Sequence, residues 1–253
     1  MTTREDDFEN TRDSLAGSHS VPRLVDSLPV PYYDDGLITI FQGDCRKIVP
    51  LLPTFDLLLT DPPYGINVAK KGTVGTSATK HSKRTGWNAP CTKFEPVEWD
   101  KAQPPSWVLH MLLAHASRSI LWGGNFYEDL DRASCWLVWD KVNGKSSFAD
   151  CELAWTNLKK AVRMFRWRWN GMLQEDMKKK ETRVHPTQKP VALMEWCIGH
   201  AKAPQSIIDP YMGSGSTLLA AQRLGIRAVG IDMHAPYCAA AVERLRADRA
   251  NYR

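Results

Sequence analysis

Asp61-Pro62-Pro63-Tyr64-Gly65 sets an acid, two rigid residues and an aromatic ring immediately after an apolar run. That run, Phe55-Asp56-Leu57-Leu58-Leu59-Thr60, has strand length and is bounded by Pro53 and Pro62. Proline has no N–H, so a sheet ladder cannot continue through two in a row. Pro62 also restricts Asp61 to extended backbone. A carboxylate, a backbone carbonyl and a ring therefore stand on a stiff turn just past a strand's C-terminal end, where open α/β sheets bind ligands. An exocyclic amino group on a base has two N–H donors and a flat π-face. Asp61 and the Pro62 carbonyl can accept both hydrogens, and Tyr64 can stack on the ring. The plainer reading is a solvated Pro-Pro turn with a helix-capping acid.

A second stretch, Ser206-Ile207-Ile208-Asp209-Pro210-Tyr211-Met212-Gly213-Ser214-Gly215-Ser216-Thr217, reads as strand, acid, Gly-rich turn and helix. Glycines let the backbone approach a ligand, and a helix N-terminus favours negative charge. No Gly-Lys-Ser/Thr follows, so this is not a Walker loop, and the third glycine of a dinucleotide fingerprint is absent. Arg227 to Ile231 is a further strand ending at Asp232, the place where nucleotide-type sites hold a ribose diol. The combination points to an adenosine-bearing ligand. Gly43-Asp44-Cys45 ends an earlier strand, Leu37 to Phe41. Asp44 at that tip either accepts from a ligand amine or caps the helix that follows. His185-Pro186-Thr187-Gln188-Lys189-Pro190 leads into another helix, and a Thr and a Lys near a helix start can hold a carboxylate. On that helix Leu193, Trp196, Cys197 and His200 share a face, which assigns His200 to packing.

Arg166-Trp167-Arg168-Trp169 interleaves cations with aromatics. Arginine pairs phosphate bidentately and tryptophan stacks on bases. The alternative is a strand with its Trp face in the core and its Arg face in solvent. Lys178, Lys179, Lys180 and Arg183 follow. A long stretch from about Ile66 to Pro105 carries Lys70, Lys71, Lys80, Lys83 and Arg84 among Gly, Ser and Thr. It starts beside the Asp61 turn and reads as a DNA-contacting loop that orders on binding, against a solvated basic loop. Pro90-Cys91 within it follows no apolar strand, which argues against a nucleophilic cysteine.

These residues need a scaffold. Besides the strands above, Trp107 to Ala116 reads as a helix, and Ser119 to Trp122 as a strand ending in Gly123-Gly124-Asn125. Cys135 to Trp139 is the next strand. Glu152 to Thr156 and Ala161 to Phe165 are spaced to form an antiparallel hairpin. Helices follow Pro190, Gly215 and about Pro236. Alternation of helix and strand with a hairpin predicts an α/β fold with a mostly parallel sheet and an antiparallel edge. Residues 1–26 read as a disordered or loosely attached tail, and 27–253 as a single domain with inserted loops at about 66–105 and 166–184.

The chain of 253 residues can bury a sizeable core. Its six cysteines, at 45, 91, 135, 151, 197 and 238, form no Cys-x-x-Cys pair and no Cys/His ligand spacing. That predicts neither structural zinc nor a disulfide framework, and fits a reduced, cytoplasmic setting. No apolar run approaches the ~20 residues of a membrane span, and the acidic, polar start is unlike a signal peptide. The net charge of +5 permits a polyanionic partner.

Asp-Pro-Pro-Tyr, His-Pro-Thr-Gln-Lys-Pro and Asp-Pro-Tyr-Met-Gly-Ser-Gly-Ser-Thr occur here in that order. In this the chain resembles the DNA amino-methyltransferases of the beta arrangement, the N-4 cytosine and N-6 adenine DNA methylases, of the short kind often found in phages and mobile elements. The resemblance covers about Leu37 to Ala250. It implies a circularly permuted, Rossmann-like methyltransferase sheet of seven strands and S-adenosylmethionine as cofactor. Asp209, Gly213 and Gly215 would line the methionine end, with Tyr211, Ser214, Ser216 and Thr217 in the same turn. Thr187 and Lys189 would meet its carboxylate, Asp232 the ribose, and Asp44 with Cys45 the adenine. Asp61, Pro62, Pro63 and Tyr64 would be the catalytic turn, with Asp61 also bordering the cofactor. The substrate implied is double-stranded DNA, with no membrane partner. An acid first in the tetrapeptide favours adenine N6, and cytosine N4 is the alternative. A catalytically silent DNA- or cofactor-binding subunit would show damage at Asp61, Tyr64 or the Gly213 turn, and none is visible. Related protein-glutamine enzymes carry Asn before the Pro-Pro pair; RNA is a further amine substrate class. Family members often dimerise and often have a restriction-endonuclease counterpart, here outside this chain. One departure is the absence of a long target-recognition region before His185, where only about Arg166 to Val184 is available.

Overall fold

The computed structural model describes residues 27–66, 73–74, 92–93, 100–143, 149–170 and 173–251. The main sheet is built from β1 (Tyr33–Asp34), β2 (Ile38–Gln42), β3 (Phe55–Thr60), β6 (Ala116–Trp122), β7 (Trp136–Asp140), β8 (Cys151–Thr156), β9 (Arg163–Arg166), β12 (Ser206–Asp209) and β13 (Arg227–Asp232). Two small ribbons stand apart from it, β4 (Thr73–Val74) with β5 (Thr92–Lys93) and β10 (Trp169–Asn170) with β11 (Leu173–Gln174). The sheet order is β1-β2-β13-β12-β3-β6-β8-β7-β9. Five neighbours, β2, β13, β12, β3 and β6, run parallel.

Parallel strands are covered on both faces, so they read as continuous apolar runs. In β3, Leu57 and Leu59 face one core cluster and Leu58 the other. The first cluster takes in α3 (Val191–His200), α4 (Ser216–Arg223) and α5 (Ala235–Asn251). The second takes in α1 (Cys45–Ile48) and α2 (Ser106–Ala114). Leu57, Leu58 and Leu59 are all at 0 % exposure. Each contributes about 1.5–3 kcal/mol relative to an exposed side chain. The result is a helix–sheet–helix sandwich whose centre is the strand preceding Asp61.

Two expectations need correcting. The sheet has nine strands, not seven: β1 adds a short antiparallel edge beside β2, and β9 extends the opposite edge. Nor does β9 return beside β8. It lies parallel to β7, with Val138 opposite Met164. Both edges of β8 are already filled, by β6 and by β7, each antiparallel. The antiparallel strand therefore lies inside the sheet. As a consequence β8 begins where its parallel neighbours end, and its first residues join their C-terminal tips.

Candidate active site

The five parallel strands end on one edge of the sheet, and four of the tips carry an acid: Asp44 after β2, Asp232 on β13, Asp209 on β12 and Asp61 after β3. All four line one cavity of about 400 Å³. This is within the size range of small-molecule and cofactor sites.

In the Gly-rich turn the acids bind uncharged donors. Asp209, 3 % exposed, accepts from the Thr60 hydroxyl at 2.8 Å and from the Tyr211 amide at 3.2 Å. Burial pushes its carboxyl up to about 7, against the hydroxyls of Thr217 and Thr60. Asp232 accepts from the amides of Gly213 at 3.1 Å and His234 at 2.8 Å, and burial raises it to about 6. Tyr211, Gly213, Ser214, Ser216 and Thr217 line the cavity. Gly215 does not line it. Its φ of +77° starts α4, and a Cβ there would meet the Ala241 Cβ at 2.9 Å. Its role is close packing against α5, which the sequence pattern cannot distinguish from ligand approach. Asp44 proves to be the helix cap: its Oδ1 accepts from the Arg46 amide at 2.9 Å, and the Arg46 guanidinium holds it below the usual carboxylate range. It still faces the cavity, as does Cys45.

The Asp61 turn is held from three sides. The Tyr64 and Gly65 amides both donate to Asp100 Oδ1, at 2.9 and 3.0 Å. The Tyr127 hydroxyl lies 2.9 Å from the Pro63 carbonyl and 3.3 Å from that of Pro62. The Pro62 carbonyl is thus not wholly free, although the shorter contact goes to Pro63. The Tyr64 ring stacks on Phe126 with centroids 4.9 Å apart and planes at 16°. Beneath it Gly123 has φ +70°, and a Cβ there would come within 2.0 Å of the ring. The Tyr64 hydroxyl donates to Asp61 Oδ1 and the Lys189 ammonium to Asp61 Oδ2.

Lys189 is only 6 % exposed. The resemblance places it on the cofactor carboxylate, yet its ammonium pairs with Asp61 and, at 3.2 Å, with Glu152 Oε2. Burial alone would lower its pKa, but the two carboxylates outweigh that and hold it above the usual lysine value. Glu152 pairs in turn with Lys141. Burial opposes its charge, but the Lys189 and Lys141 ammoniums bring it down to about 2. Burial raises Asp61, with Lys189 opposing. Thr187 lines the cavity beside His185, and the two side chains lie 3.2 Å apart. Burial brings His185 down to about 3, so the ring is neutral.

The residues proposed to contact DNA fare differently. Lys70, Lys71, Lys80, Lys83 and Arg84 lie outside the described residues, as do Pro90, Cys91 and the segment 1–26. Arg166 and Arg168 are exposed, and Arg166 pairs with Asp140 at 2.9 Å. Trp169 is not a base platform: it is 6 % exposed and its indole N–H donates to the Gln188 carbonyl at 2.9 Å. Trp167 packs on the core and stacks on Phe165 at 5.6 Å. Arg183 lies over the Trp169 ring at 5.3 Å, and burial lowers its pKa. Alternation sent the tryptophans inward and the arginines outward.

Residues 137–243 match the family model for N6/N4 DNA methylases. The chain is 30 % identical over 154 residues to the type II methyltransferase M2.DpnII of Streptococcus pneumoniae, covering 60 % of this chain and 50 % of that relative. It thus spans about half the length of that relative. It is 24 % identical over 270 residues to the type II methyltransferase M.ScaI of Streptomyces caespitosus, covering 89 % and 88 %. The chain is thus similar to the N6/N4 DNA methylases. Its fold matches the structure of the M1.HpyAVI–SAM complex at a TM-score of 0.51, with 22 % identity over 83 % of this chain and 100 % of that one. The sequence pattern gave no role to Glu152, Trp122, Phe126, Tyr127, Asp100, His234 or Tyr237, all within or around the site. An acid opening a strand was the available signal for Glu152; the others depend on packing between distant segments.

Proposed function

We propose that this methylase transfers a methyl group from S-adenosylmethionine to the N6 amine of adenine within a recognition site in double-stranded DNA. The observation carrying the proposal is that the Asp61 turn and the Asp209–Asp232 turn open onto one cavity. The cavity's chemistry fits the cofactor. Asp232 would hold a ribose diol, Asp44 and Cys45 the adenine, and Thr187 the methionine carboxylate. When bound, the cofactor supplies an electrophilic methyl on a cationic sulfonium.

The target amine is paired and stacked inside duplex DNA, so the base must be extruded at a cost of a few kcal/mol. Stacking on Tyr64, at ~1–3 kcal/mol, offsets part of that. Asp61 and the Pro62 carbonyl accept the two amine hydrogens, which draws the nitrogen lone pair out of conjugation. The step is mostly positioning and electrostatics. As the amine gains a fourth bond it becomes acidic and releases its proton late, to Asp61. The acid first in Asp-Pro-Pro-Tyr favours adenine over cytosine.

The test is methyl transfer from labelled S-adenosylmethionine to unmethylated genomic DNA, digested to nucleosides and resolved by mass. Label in N6-methyladenine is expected. Label in N4-methylcytosine overturns the base choice and keeps the Asp61 mechanism. Absence of label in DNA, with cofactor still bound, overturns the substrate class.

A further inference from the structure

We infer that Glu152 is a positioning residue for methyl transfer: it holds the Lys189 ammonium when Asp61 exchanges that ammonium for the substrate amine. The inference rests on the proposed role of Asp61. Both oxygens of Asp61 are already engaged, Oδ1 by the Tyr64 hydroxyl and Oδ2 by Lys189. An incoming amine needs an acceptor lone pair, so at least one partner must yield. Tyr64 can yield cheaply, since a hydroxyl carries no net charge. Lys189 cannot, because an unpaired ammonium at 6 % exposure is strongly unfavourable. Glu152 resolves this. Its Oε2 is 3.2 Å from Lys189 Nζ, and Lys141 anchors its other oxygen. Its place follows from the sheet order, since the antiparallel β8 brings its second residue to the tip edge, opposite Trp139 of β7.

The groups around this pair come from every neighbouring element. Lys141 follows β7, His185 and, on α3, Cys197 both feel the Lys189 charge, Arg183 acts on Glu152 from the segment before α3, and Asp209 of β12 and Tyr127 both feel the Asp61 charge. Asp100 fixes the turn backbone behind Tyr64. Among them Glu152 is the acid that shares the ammonium of Asp61, and its negative charge raises Asp61's affinity for a proton.

Two variants test this in opposite directions. Glu152→Gln leaves Lys189 to Asp61 alone. Turnover should fall about 10–100-fold, and the acid limb of the kcat–pH profile should move to lower pH. Lys141→Gln leaves Glu152 intact but less neutralised, so the acid limb should move to higher pH. Glu152→Asp, keeping the charge, should restore part of the turnover lost in Glu152→Gln. Binding of S-adenosylmethionine, read by calorimetry, should stay within about three-fold in all variants. Acid limbs that do not move, or a loss that follows cofactor affinity, would overturn the inference while leaving the proposed function standing. A wild-type chain that labels no DNA would overturn both. Should Glu152→Gln fail to fold, Lys141→Gln and Glu152→Asp carry the same test.

Discussion

Two halves of one sheet edge hold buried carboxylates in opposite ways. At the tips of β12 and β13, Asp209 and Asp232 are bound by amides and hydroxyls, and burial raises them to about 7 and 6. At the tips of β3 and β8, Asp61 and Glu152 share the Lys189 ammonium, and Glu152 falls to about 2. Asp61, with one ammonium, is still raised by burial, whereas Glu152, with both the Lys189 and Lys141 ammoniums, is brought down, so the number of cationic partners decides the direction. Neutral donors hold a carboxylate in place without cancelling its charge, leaving it able to face a cationic or diol-bearing ligand. An ammonium opposes the effect of burial on the carboxylate but has to be displaced or shared before the acid can act. The first arrangement suits binding and the second suits a group that changes partners during a reaction.

The largest effect is expected at Asp61. Asp61→Ala should lower methyl transfer by about 10²–10⁴-fold while cofactor affinity measured by calorimetry stays nearly unchanged; a rate close to wild type would remove Asp61 from the mechanism. Gly123→Ala comes next, because its Cβ would fall 2.0 Å from the Tyr64 ring. It should displace Tyr64, cost about 1–3 kcal/mol of stability by overpacking, and reduce turnover with little effect on cofactor binding.

The stability profile against pH sharpens the contrast between the halves. Asp209 is raised from 3.8 to about 7, so the stability of its protonated form is present below the unfolded value and lost as pH rises through about 7. Glu152 is lowered from 4.5 to about 2, so its contribution is present above the unfolded value and lost as pH falls through about 2. In thermal melts Asp209→Asn should therefore gain on wild type as pH rises from about 5 to 8. Glu152→Gln should lag wild type near pH 7, with the gap closing toward about pH 3. Equal slopes for the two variants would show that partner charge is not what separates the halves. The smallest effect belongs to Arg166, whose side chain is 70 % exposed beside Asp140. Arg166→Ala should change stability by only ~0–1 kcal/mol, yet lower the salt dependence of DNA binding by about one counterion if it meets phosphate.

Much of this arrangement was legible in advance. The run Phe55–Thr60 is a strand with the predicted bounds, because its apolar continuity and the flanking prolines are local signals. The acids at 44, 61, 209 and 232 fall at strand tips for the same reason. Less legible was the fate of alternating patterns. Arg166 to Trp169 allowed two faces, and only the neighbouring Gln188 carbonyl and the Trp196–Phe165 contact decide that the indoles turn inward. The position of β9 was also illegible, since a short connection suggests a hairpin unless the intended partner's edge is already taken.

The sequence alone determined which residues end strands, where backbone freedom is required, and which family motifs stand in which order. Those are properties of a few consecutive residues. Tertiary structure decided that Asp209 lies beside Asp61 rather than far from it, because β12 inserts next to β3 across 149 positions of chain, joined by the Thr60–Asp209 hydrogen bond. It also decided that Glu152 reaches Lys189, because an antiparallel strand inside the sheet turns its first residues toward the tips. Strand order and direction are set by which apolar faces bury together, and no local pattern encodes that choice.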